Sequence, residues 1–190
     1  MLPAYDAIVF GSSAGGFAAL AEVLPCLPKD LPQAVVVVQH LYPGSGDYLI
    51  EFLGRRCALP VKEAEEKEAV SAGTIYVAPS GYHLLIERER TFSLSVDAKV
   101  HFARPSLDVL FESAALAYGP RLIGVVLTGA NGDGAAGLAA VKERGGLAIV
   151  QDPATAEVSY MPQAAMAGTK VDYCLDLAAI GRLLGGRTGV

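Results

Sequence analysis

The chain is poor in cysteine. Cys26, Cys57 and Cys174 are odd in number and widely spaced. That excludes a disulfide framework and the paired spacing of a zinc site, and leaves three reduced, structural thiols. Long apolar runs are also lacking, and none reaches the length of a membrane span. Met1 to Tyr5 show no basic region followed by an apolar export segment, so a cytoplasmic protein without membrane insertion is expected. Charge is sparse at 18%, and the 15 Lys and Arg are outnumbered by 20 Asp and Glu, for a formal net charge of −5. That balance speaks against nucleic acid as a partner. Internal repeats, low-complexity tracts and interior linkers are missing too.

What is present is apolar: 52% of the residues, in a chain of 190, enough for a sizeable core in one domain spanning 1–190. β-rich apolar runs alternate with helix-like segments. Strands are expected at 6–10, 34–39, 61–63, 75–78, 122–127, 147–151 and 173–174. The four consecutive valines of 35–38 mark a central parallel strand, buried on both faces. Helices are expected at 15–24 (ended by Pro25), 46–56, from near Pro105 to 118, 134–143, 162–167 and 176–184. Segments 82–87 and 92–96 flank a polar turn and read as a hairpin. The alternation predicts an α/β fold: a Rossmann-like, doubly wound, mainly parallel sheet with helices on both faces and an inserted β-hairpin.

Three loops at carboxyl ends of predicted strands carry the chemistry. Gly11-Ser12-Ser13-Ala14-Gly15-Gly16 follows the first strand and reads G-x-S-x-G, the spacing of a turn that projects a serine hydroxyl from a sheet edge. His40 follows the valine strand, and Asp133 follows strand 122–127 in the run Thr128-Gly129-Ala130-Asn131-Gly132-Asp133-Gly134. Ligands of open α/β sheets bind outside these strand ends. Serine, histidine and aspartate there are the parts of an acyl-transfer triad: nucleophile, general base and orienting carboxylate. Each residue also has a plainer reading: Ser13 as a helix cap, His40 as a loop residue and Asp133 as the N-cap of the next helix. His83 and His101 lie in or beside the hairpin and are read as structural or peripheral, and Lys62–Glu68 as a solvated charged face. A dinucleotide site is the competing use of the first loop. Its G-x-G-x-x-G fingerprint is broken by Ser13, and no G-x-x-x-x-G-K-[ST] segment occurs.

The motifs GSSAGG, VVVVQHLYPG, GTIYVAPSGYHLLI, ARPSLDVLFESAA, GVVLTGANGDGAAGL and SYMPQAA resemble, in family order, the catalytic domain of the bacterial chemotaxis protein-glutamate methylesterases, the CheB family. The resemblance covers nearly the whole chain. It implies catalytic Ser13, His40 and Asp133, hydrolysis of γ-glutamyl methyl esters on the cytoplasmic helices of chemoreceptors, and deamidation of receptor glutamines. An oxyanion hole is expected from the Ala14 amide, the residue after the nucleophile, with a second donor implied near Ala130. Neither metal nor organic cofactor is implied. The chain departs from the family pattern at Ala14 (usually Thr), Ala103 (often His) and Ala130 (usually Met, within G-A-N-G-D-G). These changes alter the expected substrate-facing lining. The family's phosphorylatable receiver domain is not in this sequence, so a stand-alone enzyme is expected, open to control by a receiver protein in trans. Two other readings stay open at this stage: a same-mechanism esterase or amidase acting on another protein or small ester, and a non-catalytic signalling module.

Overall fold

The computed structural model describes residues 5–40 and 46–186. Seven strands form one sheet in which every pairing is parallel: β1 (Ala7–Ser12), β2 (Ala34–Gln39), β3 (Val61–Glu63), β4 (Ile75–Val77), β7 (Leu122–Val126), β8 (Leu147–Gln151) and β9 (Tyr173–Leu175), in the order β3-β4-β2-β1-β7-β8-β9. The two edge strands have three residues each, which limits the open hydrogen-bonding edge. Strands β5 (His83–Ile86) and β6 (Phe92–Ser95) pair antiparallel as the separate hairpin.

The central strands are apolar throughout because both faces are covered. Side chains alternate between two cores along each strand. Ala7, Val9, Val36 and Val38 face the core made with α3 (Leu107–Tyr118), α4 (Ala135–Glu143), α5 (Tyr160–Gly168) and the hairpin. Ile8, Phe10, Val35 and Val37 face the core made with α1 (Gly16–Val23), α2 (Gly46–Gly54) and α6 (Leu177–Leu184). The hairpin packs Leu84, Ile86 and Phe92 into the first core, and Ile86 N–H donates to Ser113 Oγ of α3 at 3.1 Å.

The expected elements are all present, with shifts at their ends. Helix α1 stops at Val23, and Leu24-Pro25-Cys26 continue as a 3₁₀ turn, since Pro25 has no N–H to extend the α-ladder. Helix α5 begins at Tyr160, two residues before Pro162. A proline fits there because first-turn N–H groups need no intrahelical partner.

The chain runs from β1 to β2 on one side of the sheet and later returns to β7 on the other side of β1. Strands β2, β1 and β7 are therefore adjacent at the point where the winding reverses, and a crevice opens outside their carboxyl ends.

Candidate active site

Register brings the three loops level. Ser12 pairs with Gln39, and Gly11 with Val126. The ladder continues past the strand ends: His40 N–H donates to Ser12 O and Ser13 N–H to Thr128 O, each at 3.0 Å. Ser13, His40 and Asp133 thus emerge side by side. His40 Nδ1 lies 3.2 Å from Ser13 Oγ, and His40 Nε2 lies 2.8 Å from Asp133 Oδ2. The His40 side chain is 12% exposed and that of Asp133 is fully buried. An ionised Asp133 only accepts, so Nε2 carries the proton in neutral His40 and Nδ1 is the unprotonated, accepting nitrogen that faces the serine. In the serine-protease template the ring is used the other way round, with Nε2 toward the nucleophile.

The turn bearing Ser13 is not strained at the serine. Its left-handed residue is Gly15, at φ 76°, where a Cβ would lie 2.7 Å from the Glu157 side chain. Gly11 is needed for another reason: a Cβ there would meet Leu107 Cδ2 at 2.1 Å, so the glycine lets α3 approach the end of β1.

That approach matters because α3 cradles Asp133. Ser106, the N-cap of α3, donates Oγ–H to Asp133 Oδ1 at 2.7 Å. Leu107 N–H donates to Oδ2 at 2.7 Å, and Asp108 N–H to Oδ1 at 3.0 Å. Asp133 does not cap its own helix, since the N-cap of α4 is Gly134. It occupies the N-terminus of α3, where free N–H groups and the helix dipole favour negative charge. Burial pushes its carboxyl up. The hydrogen bonds from His40, the Asp108 amide, Ser106 and the Leu107 amide outweigh that and hold it below the usual carboxylate range.

The arrangement is reciprocal. Asp108, in the first turn of α3, accepts from Gly134 N–H at 2.9 Å and Gly137 N–H at 2.7 Å at the start of α4. Each helix thus receives a carboxylate from beside the other's N-terminus. Asp108 is pushed up: burial outweighs the two amides, the Asp133 charge adds to burial, and His101, 3.4 Å away, partly offsets it.

Gln39 ties the first two loops together from below. It accepts from Ser12 Oγ at 2.6 Å, and its Nε2 donates to Ser13 O at 2.8 Å and His40 O at 2.9 Å. A trans peptide points its N–H opposite its C=O. With the Ser13 carbonyl held by Gln39, the Ala14 N–H faces away from the core, toward the exposed side of the loop. The peptide before Ala130 is locked in the same manner, because Gly129 O accepts from Met161 N–H at 2.9 Å. Neither the Ala14 nor the Ala130 amide has a hydrogen-bond partner among the described residues. Thr128 braces this side: its N–H donates to Gln151 Oε1 at 2.9 Å, and its hydroxyl donates to Ala14 O at 2.8 Å.

A cleft of about 600 Å³ opens beside these groups, with His40, Asn131, Phe102 and Arg104 among its lining residues. His83 is buried and structural, bridging Ala98 O and Ser106 N–H. His101, read as peripheral, lines the cleft. Sequence reasoning passed over Gln39, Ser106 and Asp108. A polar residue closing a four-valine strand, and a carboxylate on the apolar face of a helix, were the available signals. No group of three or more His, Cys, Asp and Glu side chains suited to a metal occurs among the described residues.

A parallel doubly wound sheet with serine, histidine and carboxylate hydrogen-bonded in series at its switch point has the parts of an acyl-transfer site. The chain belongs to the CheB methylesterase family, whose model matches residues 8–184. A Leptospira interrogans relative, provisionally named a protein-glutamate methylesterase/protein-glutamine glutaminase, is 52% identical over 94% of this chain and 93% of its own length. Protein-glutamate methylesterase FrzG of Myxococcus xanthus is 40% identical over 96% of this chain but only 54% of its own length. The crystal structure of the Thermotoga maritima CheB methylesterase catalytic domain matches with a TM-score of 0.92 and 36% identity, over 97% of this chain and 99% of that one.

Proposed function

We propose that this chain is a protein-glutamate methylesterase that hydrolyses γ-glutamyl methyl esters on the cytoplasmic helices of chemoreceptors, and deamidates receptor glutamines by the same route. Ser13, His40 and Asp133 are the catalytic residues. The hydrogen-bonded series from Asp133 Oδ2 through His40 to Ser13 Oγ, at 2.8 and 3.2 Å, is the observation that carries this reading. Ser13 Oγ attacks the ester carbonyl as His40 Nδ1 takes its proton. The oxyanion is received by the Ala14 N–H and by the Ala130 N–H. Collapse of the tetrahedral species breaks the bond to methoxide, which leaves as methanol with the proton from Nδ1. Water, deprotonated by the same nitrogen, then attacks the acyl-enzyme and releases a glutamate carboxylate and free Ser13. With a glutamine substrate the leaving group is ammonia. Asp133 holds the ring and stabilises the imidazolium in both halves. None of these steps calls on a metal or organic cofactor. The substrate places the working enzyme in the cytoplasm; no described helix is long and apolar enough to cross a membrane.

The test is methanol release from methylated receptor by the purified chain and by Ser13→Ala. The variant should be slower by about 10⁴-fold or more, the scale of triad deletions. Methanol release by Ser13→Ala at the wild-type rate, or none by the wild type, would refute the proposal.

A further inference from the structure

One element of the cleft wall has no role in the chemistry above. Val100 and Ala103 exchange both backbone hydrogen bonds, at 3.1 and 2.9 Å, closing a two-residue turn over His101 and Phe102. Both central residues are left-handed, at φ 47° and 63°. Turns of that type favour Asn-Gly, because bulky side chains resist positive φ. Here the second position is a phenylalanine that is 97% exposed, so no packing among the described residues offsets the strain.

The turn is firmly mounted. Arg104 Nη1 donates to Val96 O at 2.6 Å and to Asp97 O at 2.8 Å, fixing the segment that leads into the turn. His83 Nε2 donates to Ala98 O at 3.0 Å from the hairpin side. His101 Nε2 sits 3.4 Å from Asp108 Oδ2, which ties the turn to the first turn of α3, beside Asp133. Phe102 is therefore a rigidly presented aromatic in the wall of the cleft that also contains His40. The same cleft is basic, although the chain as a whole carries a net charge of −5. Lys99 has no ion-pair partner among the described residues, and Arg104 Nε is buried without a hydrogen bond. Exposed aromatics on preordered backbone, next to unpaired donors, are what a polypeptide docks against.

We propose that the turn Val100–Ala103 is a substrate-docking element. Phe102 packs on an apolar side chain of the polypeptide that carries the ester, while Lys99 receives an acidic side chain flanking it. This rests on the reading of the site as a protein methylesterase. Phe102 is a specificity residue: it acts on binding of the polypeptide and not on the bond-breaking step.

The experiment compares two esters, methylated receptor and an N-acyl glutamate γ-methyl ester too small to span the cleft. Phe102→Gly removes the side chain and relieves the positive φ, so the variant should fold at least as stably as wild type. Its kcat/KM on the receptor should fall by about ten-fold, mainly through KM, as for loss of one aromatic anchor. On the small ester it should stay within about two-fold. Phe102→Tyr should restore the receptor value. Equal losses on both esters, or an unchanged receptor KM in Phe102→Gly, would overturn the proposal. A wild type that hydrolyses the small ester but not the receptor refutes the protein-methylesterase reading itself, and this inference with it.

Discussion

Replacing Asp133 by asparagine separates charge from shape at the most connected residue of the site. The carboxylate accepts four hydrogen bonds, from Ser106 Oγ and Asp108 N–H on one oxygen and from Leu107 N–H and His40 Nε2 on the other. Whichever oxygen becomes an amide NH₂ faces a backbone N–H, donor against donor. Stranding one buried N–H costs about 1–3 kcal/mol, and the remaining bonds lose their charge assistance. The expected total is about 2–4 kcal/mol, or roughly 5–15 °C in Tm for a chain of this size. Because the folded-state pKa of Asp133 lies below its ordinary value, this stability is present above the unfolded-state pKa of about 3.9 and lost as pH falls through the folded one. Asp133→Asn should lack that acid-sensitive part of the stability profile. Turnover should fall by about 10³–10⁴-fold, since the neutral amide neither selects the Nε2–H tautomer nor stabilises the imidazolium. Ser106→Ala is the control, because it costs the α3 cap and one bond to Asp133, about 1–2 kcal/mol, but leaves the charge. Thermal melts from pH 3 to 8 and methanol release per folded molecule measure both effects. If Asp133→Asn keeps activity within ten-fold of wild type while Ser106→Ala is equally destabilised, Asp133 serves the fold alone.

Other outcomes follow from the same contacts. Asp108→Asn keeps an oxygen for the Gly134 and Gly137 amides while removing a buried charge. It should be at least as stable as wild type at pH 8, and should lack the stability that wild-type Asp108, with its raised pKa, loses as pH rises through that value; melts at pH 5 and 8 check this. Gln39→Leu frees the Ser13 carbonyl and strands Ser12 Oγ, so kcat should drop by about ten- to a hundred-fold, with substrate KM little changed if the Ala14 amide is an oxyanion donor. Ser12→Ala, by the same contacts, should cost about 1–3 kcal/mol of stability and much less activity than Ser13→Ala, read by melting and methanol release. Burial pushes the Cys57 thiol from 9.0 to about 11. Its alkylation at pH 8 should therefore be ~100-fold slower in the folded than in the unfolded chain, measured by mass spectrometry.

The strands were legible because a parallel sheet buried on both faces leaves an unbroken apolar signature. Ala34–Gln39 and Leu147–Gln151 coincide with their expected spans. Helix ends were less legible, because caps and prolines shift them by a residue or two, as at Pro25 and Pro162. The proximity of Ser13, His40 and Asp133 was legible from topology alone: residues just past the carboxyl ends of adjacent parallel strands have little choice but to meet.

What pattern reasoning could not supply was the direction of each polar group. Asp133 stands immediately before the Gly134 cap of α4, and local sequence gives every reason to assign it to that helix. Its actual partner is the start of α3, brought near because Gly11 leaves room for Leu107 against β1. Asp108 makes the converse exchange. Helix-capping rules are written for neighbours in sequence, and here the donors of one helix are satisfied by the carboxylate of the other. The swap also explains how a carboxylate with no solvent exposure stays ionised beside a histidine: three donors from α3, Ser106 Oγ–H and two backbone N–H groups, add to the His40 hydrogen bond, and together they outweigh burial. The α3 donors fix both oxygens of Asp133 in place, so the carboxylate meets His40 Nε2 in one orientation, as the proposed reaction requires of the group that holds the ring.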